Sequence, residues 1–495
     1  MTAALTRTLA AAPIASLSFA IIVALAATGV RNGLVTDDAL RLWAGASTAA
    51  DGAVPVGRMV AAYPTLPFLS STLVAWLTPA GTPAPALVAG ALFALFAAFC
   101  FFSFRKVGLP AVAAAAATFL IAFHPALLRG IVAGPADMFL AVFLLVLCLA
   151  LYDLRARSGT SEVMAVGLAL MGIAFSHPMG AAFAFASVPF LGFAVRPFLV
   201  ANSALNVVVA LMFPTLFAIS AFSYVSWIFP GDGWSFFAAP AQSLSIWTVA
   251  EARVFGASLG VPLVLSASAA MAIAIVLGAP IAVAMLARVY RRRPLIAPAI
   301  VFASTAIAAT ALSVLSGFFG DPAAIIVAAP VLAAAAVIRI PGTRERPLLA
   351  VVLLLFGWLG GFASLALIDP VTASHLRDVT GRGANERADA LAAGGATSAR
   401  DGVLADIENA PAIVLGRGRA RGLLGPQSEP FALALLFARI DAAVVAVPDP
   451  HSSVGRDDRL NKAFPALFRD GLPDYRVIYQ NNTWKIFERA NIARK

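Results

Sequence analysis

Two adjacent carboxylates, Asp37 and Asp38, stand just past the first apolar run, in the stretch from Leu34 to Leu69. Arg41 and Arg58 follow, and a Tyr63-Pro64 step leads back into apolar sequence. Three further loops carry groups of the same kind. His124-Pro125 and Arg129 run into Gly134-Pro135-Ala136-Asp137, and Ser176-His177-Pro178 makes a short turn. The segment Trp227 to Phe237 holds Asp232, with Glu251 and Arg253 beyond it. Ionisable groups near hydrocarbon are expensive to keep, so four such loops on one face read as the lining of a polar cavity at the membrane–water boundary. Each group also has a plainer reading. The acid pair caps a helix starting at Ala39, Asp137 caps the next span, and His177 is a turn residue.

The elements that position these loops follow from composition. Hydrophobic residues make up 61% of the 495 and charged residues 12%, against roughly 45–50% and about 25% in soluble domains. That excess of apolar surface makes the chain a polytopic α-helical membrane protein. A hydrocarbon core about 30 Å thick takes around 20 apolar residues per helix. Runs of this kind lie near 13–30, 84–103, 108–125, 137–153, 162–176, 179–195, 203–225, 258–287, 295–317, 322–338 and 347–368, about 11 spans in all. Residues 65–78, bounded by Pro64 and Pro79, read as an interfacial or re-entrant helix. No small-residue cleavage pattern follows the first run, which reads as a retained span.

Loop charge sets the orientation. With Arg7 inside, the cytoplasmic loops hold Arg105, Lys106, Arg155, Arg157, Arg196, Arg288, Arg291, Arg292, Arg293, Arg339, Arg344 and Arg346. Short loops on the other side hold only Arg31, Arg41, Arg58, Arg129 and Arg253. This is the asymmetry of the positive-inside rule, and counting 65–78 as a full span would invert it. The net charge of +10 therefore belongs mostly to span ends and a basic tail, and no nucleic-acid partner is expected. Heavy use of alanine, arginine and glycine points to a GC-rich bacterium, and so to its inner membrane. Cys100 and Cys148 both lie in apolar runs and form neither a disulfide nor a metal pattern.

Residues 1–368 read as the transmembrane domain with an external loop at 31–66, residues 369–400 as a linker or neck, and 401–495 as a small α/β domain outside the membrane. Within the tail, Ala412–Leu415 reads as a strand, Phe431–Ile440 as a helix and Ala443–Val447 as a second strand. A hairpin of Arg476–Tyr479 and Trp484–Phe487 turns at Asn481-Asn482, residues that tolerate positive φ. Gly416, Gly418 and Gly422 follow the first of these strands, but their spacing departs from G-x-G-x-x-G, so a glycine-rich surface loop is expected there and not a dinucleotide site. No Walker motif, H-E-x-x-H, cysteine cluster or G-x-S-x-G is present.

In order of features the chain resembles the GT-C membrane glycosyltransferases, especially the protein O-mannosyltransferases and lipid A aminoarabinose transferases. The likeness rests on Thr36-Asp37-Asp38-Ala39, on Tyr63-Pro64-Thr65-Leu66-Pro67, on the loop from Arg129 to Asp137, and on Trp227–Phe237 with its Gly231-Asp232 step. It covers roughly residues 1–240. Asp-Asp stands where the family has Asp-Glu, Tyr-Pro-Thr where it has His-Pro-Pro, and His177 where a basic residue is often found. The resemblance implies a GT-C-like fold and an inverting transfer of sugar from a polyprenyl-phosphate donor to a glycan, lipid or protein acceptor at the periplasmic face. Asp37 would be the base. Asp38, Asp137 and Asp232 would orient substrate, and Arg58, Arg129, Arg253 and His177 would contact it, in large part through phosphate. No cofactor is implied with certainty, although a divalent cation is compatible with the chemistry. Two other classes fit a many-span chain with polar loops: a transporter or flippase for a lipid-linked glycan, and a non-catalytic assembly protein of polysaccharide export. Charges in mid-span and broken helices would mark transport, whereas charges gathered in external loops favour surface chemistry.

Overall fold

The structure, a computed structural model, describes residues 13–25, 37–52, 59, 62–79, 81–229, 261–288, 293–316, 319, 321–339, 345–369, 385–426 and 428–490. The chain forms two compact units. One comprises Met1–Leu25, Val60–Pro67 and Ala89–Asp378, the other Ala26–Met59, Phe68–Val88 and Val379–Lys495. Most of residues 31–66, read in the sequence as the first external loop, fall in the second of these units.

The first unit is helical. Six helices among the described residues are long and apolar enough to cross a membrane: Ala84–Lys106, Pro135–Arg157, Ser203–Ile228, Ile296–Ser316, Pro322–Arg339 and Pro347–Ile368. The chain is a multi-pass membrane protein on the length and composition of these helices. Among the described residues these six do not confirm the expected eleven. Five of the expected spans form shorter apolar helices, Pro13–Leu25, Ala111–Ala122, Thr160–Ser176, Pro178–Ala194 and Leu263–Gly278, and Thr65–Leu77 is a further short one. Prolines explain several of the early stops. Pro125, Pro178 and Pro280 each sit where a new helix begins, since proline suits the first helical turn and cannot continue a preceding one. The helix Pro322–Arg339 and the helix Pro135–Arg157 are the most deeply packed, whereas Ser203–Ile228 and Pro347–Ile368 leave Phe213, Phe217, Leu348 and Phe356 exposed. Exposed apolar side chains on such helices are what a lipid solvent accepts. Small residues set the close crossings. A Cβ added at Gly360 would lie 2.3 Å from Leu277 O on the neighbouring helix.

Successive helices of this unit run back and forth. Pro135–Arg157 carries Asp137 in its first turn and Asp153, Arg155 and Arg157 toward its end, with Asp137 and Asp153 roughly 24 Å apart along the axis at about 1.5 Å per residue. At its far end Arg155 donates to Val195 O, Arg196 Nε donates to Arg155 O at 3.4 Å, and Arg339 Nη2 meets Asp153 Oδ2 at 2.5 Å. Those contacts gather the ends of three other helices beside it.

The second unit is built on a five-stranded sheet in the order β2-β1-β3-β5-β4. β1 (Val403–Leu404) pairs in parallel with β2 (Leu423–Leu424) and β3 (Val444–Pro448), and β3 and β4 (Tyr475–Gln480) flank β5 (Trp484–Arg489) antiparallel. Strand alternation divides the core. Val403, Val444, Ala446, Trp484 and Ile486 pack with Ile413 and Ala393 on one face; Leu404, Val445, Val447 and Phe487 pack with Phe431 and Leu460 on the other. The helix at Asn385–Ala396, expected within the linker, belongs to the first of these faces.

Three details of the tail differ from the sequence reading. Ala412–Leu415 is part of a helix, Pro411–Arg417, started by a proline at its first turn and stopped by Gly418 at φ +75°. Gly416 therefore lies in that helix, and Arg417 beside it is buried, donating to Thr397 O, Arg400 O and Arg421 O. The β4–β5 turn uses no positive φ at Asn481 or Asn482; Asn481 Oδ1 instead accepts from Thr483 N–H and Trp484 N–H.

The helix Asp37–Ala50, in the stretch read from the sequence as an external loop, packs on the helix Pro411–Arg417 of the same unit. Ala44 joins the core face of the sheet, and Asp51 Oδ2 accepts Ala420 N–H at 2.6 Å.

Candidate functional site

Within the membrane unit, the helix ends opposite the arginine-rich end converge on one guanidinium. Arg129 lies on Pro125–Ala133, a helix whose start is fixed by His124: its Nδ1 accepts Ala126 N–H at 3.2 Å. That leaves the ring proton on Nε2, which donates to Gly357 O at 3.1 Å. Gly134 at φ +97° lets the chain turn straight into the next helix, with Asp137 in its first turn. Asp321 caps the 3-10 helix Pro322–Val327 by accepting Ala323 N–H on Oδ1 at 2.9 Å, so Oδ2 is left for another donor. Asp369 follows the last residue of Pro347–Ile368.

Arg129 reaches all three acids. Nη1 donates to Asp137 Oδ2 at 2.5 Å, Nη2 to Asp321 Oδ2 at 2.6 Å and Nε to Asp369 Oδ2 at 2.8 Å. His177 completes the group. Its Nδ1 accepts Met179 N–H at 3.0 Å, so Nε2 carries the proton and faces Asp137 Oδ1 at 3.5 Å. Tyr63 lies behind this turn, donating its hydroxyl to Ala174 O at 2.8 Å and lying 3.3 Å from His177 O.

Three carboxylates against one guanidinium leave the group with excess negative charge when all are ionised. Burial alone would weaken the protonated form of Arg129, but the charges of Asp137, Asp321 and Asp369 hold it firmly protonated. Burial, with the neighbouring acids, raises Asp321 to about 6 against the pull of Arg129. Exposure separates the acids: the side chains of Asp137, Asp369 and Asp321 are 3%, 12% and 25% exposed. Asp321 is thus the acid most open to a reactant, and Asp137 is an internal strut. Chemically, the arrangement presents oriented carboxylates, with one guanidinium holding their spacing.

Of the residues singled out in the sequence, the structure brings Arg129, Asp137 and His177 together. Asp37 and Asp38 open the helix Asp37–Ala50 in the other unit, and their side chains lie outside the described residues. Arg58, Asp232 and Arg253 also lie outside the described residues. Asp321 and Asp369 are the two members that the sequence reading missed. Both had a readable signal, an acid followed by proline at the end of a span, as in Asp321-Pro322 and Asp369-Pro370. Among the described residues no three His, Cys, Asp or Glu side chains form a group that could hold a metal ion. No protein-family model matches the chain, and no curated protein matches it.

Proposed function

We propose that the chain is an inverting glycosyltransferase that uses a polyprenyl-phosphate sugar at the external face of a bacterial inner membrane. The observation that carries this reading is the set of carboxylates, arginine and histidine gathered at one end of a membrane helix bundle, where a lipid-borne head group and a water-borne acceptor meet. The bond from the acceptor oxygen to the sugar C1 forms as the bond from C1 to the phosphate oxygen breaks. Asp37, by the resemblance, takes the acceptor's proton. Polyprenyl phosphate departs as the anion and needs no separate acid. Asp321 and Asp369 orient sugar or acceptor hydroxyls from the positions that Arg129 sets. With its charge committed to three acids, Arg129 acts as a positioning group, and Arg58, Arg253 and His177 are left as the phosphate contacts.

Transfer from a radiolabelled polyprenyl-phosphate sugar pool in purified membranes tests this. Label should pass to an acceptor with wild type and fail to pass with Asp37→Asn, and Asp321→Asn should reduce transfer while leaving expression intact. The burial of Arg129 and Asp137 also suits a transporter for a lipid-linked glycan. Glycan export that depends on the protein, without transfer of label, would favour that second reading.

A further inference from the structure

Among the described residues of 385–490, three buried side-chain oxygens have no hydrogen-bond partner: Asp406 Oδ1, Asp458 Oδ2 and Asn461 Oδ1. All three residues are at least nine-tenths buried, Asp458 completely. The other polar atoms of these side chains are engaged, which fixes the oxygens left over. Asp406 Oδ2 accepts from Asn409 Nδ2 at 2.8 Å and from Arg459 N–H at 3.0 Å, and Asp458 Oδ1 accepts Asn461 N–H at 2.8 Å. Asn461 Nδ2 donates to two carbonyls, Pro448 O at 2.9 Å and Gly455 O at 3.1 Å, so the remaining amide atom is the oxygen.

The fold brings these residues to a recognisable place. Asp406 follows the end of β1, and Asp458 and Asn461 close the segment that leaves β3. β1 and β3 are parallel neighbours, yet the chain leaves β1 for β2 on one side and returns across to β3 on the other. Such a switch in strand order opens a crevice at the carboxyl ends of the strands, where ligands bind. Leaving acceptor oxygens unsatisfied in a buried position is costly; the neighbouring charge, Arg459 Nη1, stands off Asp406 Oδ1 at 3.6 Å, beyond hydrogen-bond reach, and a cation bound among the three oxygens would satisfy them together.

We propose that Asp406, Asp458 and Asn461 form an oxygen-ligated site for a divalent cation of the calcium type. Two carboxylates and an amide carbonyl are hard donors, and the absence of sulfur and imidazole among them disfavours zinc and copper. Calcium accepts carbonyl and carboxylate oxygens in irregular geometry, whereas magnesium keeps more of its own water. Arg459 is the rival charge at the rim. Its Nη1 lies 3.6 Å from Asp406 Oδ1, while Nη2 is held by Glu408 at 2.8 Å, so the half-exposed guanidinium has a second partner when a cation enters. A proton shared between Asp458 and Asp406 is the competing explanation. It would satisfy those two acids but leave Asn461 Oδ1, an acceptor, unmet.

The test is calorimetric titration of calcium chloride into the full-length protein, purified in detergent and stripped with a chelator. Wild type should bind one calcium per chain, and Asp458→Asn and Asp406→Asn should each weaken binding at least tenfold with an unchanged circular dichroism spectrum. Calcium should also slow amide exchange across residues 449–461 of wild type, a readout that needs no variant. No saturable calcium binding by wild type, wild-type affinity in both variants, or unchanged exchange across 449–461 would each overturn the proposal.

Discussion

Removing the guanidinium of Arg129 would strand three carboxylates, two of them well buried. Breaking a buried ion pair by deleting one partner costs about 3–5 kcal/mol, because the other charge stays behind without compensation. Arg129→Met is therefore expected to lower thermal stability in detergent by that order. Arg129→Lys should recover only part of the loss, since an ammonium is a point charge and cannot fork to three acids. Asp458 gives a different kind of test. Burial, and then the charge of Asp406, push its carboxyl from 3.8 up to about 7. The folded unit thus holds the proton more tightly than the unfolded chain, and the stability this brings is complete below about 4 and lost as pH rises through about 7. In chelator, amide exchange of β3 and the following segment, corrected for intrinsic rate, should quicken between pH 5 and 8. Asp458→Asn should flatten that dependence; a wild-type profile already flat would count against the assignment.

Several helix starts were legible in the sequence from proline. His124-Pro125, Gly134-Pro135 and His177-Pro178 all begin helices, and Asp137 and His177 from two of these turns meet near Arg129. Asp321-Pro322 carries the same mark but was hidden in a short connection between two apolar runs, so its acid was passed over. Asp369 was read as the start of a linker when it closes a helix at the same end. Ala412–Leu415 was misread for a different reason: four apolar residues fit a strand or a helix equally, and only Pro411 and Gly418 decide. The pairing of the helices Asn385–Ala396 and Pro411–Arg417 had no local signal at all. It depends on Gly394 and Gly416, where added Cβ atoms would lie 2.3 Å from Ile413 O and 2.0 Å from Leu391 O. Backbone cannot yield as a side-chain tip does, so Gly416→Ala should force the helices apart at a cost of about 1–3 kcal/mol. Faster limited proteolysis of the C-terminal unit, with membrane-unit fragments unaffected, is the expected result.

At the scale of the whole membrane unit, the helix ends fall into two chemically different groups. One holds Asp137, Asp321, Asp369, Arg129 and His177; the other holds Asp153, Arg155, Arg157, Arg196 and Arg339. By the positive-inside rule the arginine-rich end is expected in the cytoplasm, and the proposed function requires the acidic group on the external side. Phe229 and Arg157 report on this directly. Phe229 ends the long helix that begins beside Arg196, and its apolar portion of 26 residues is about 39 Å long at about 1.5 Å per residue, more than the roughly 30 Å of hydrocarbon. Arg157 is well exposed at the opposite end. Cys100 and Cys148 are both buried, so a single introduced thiol can be labelled over little background. Phe229→Cys should react with a membrane-impermeant maleimide in intact cells, and Arg157→Cys only after the membrane is opened. The reverse pattern would place the acidic end in the cytoplasm and remove the external-face chemistry. Labelling of both from one side would instead break the alternation of helices on which the gathering of those five residues depends.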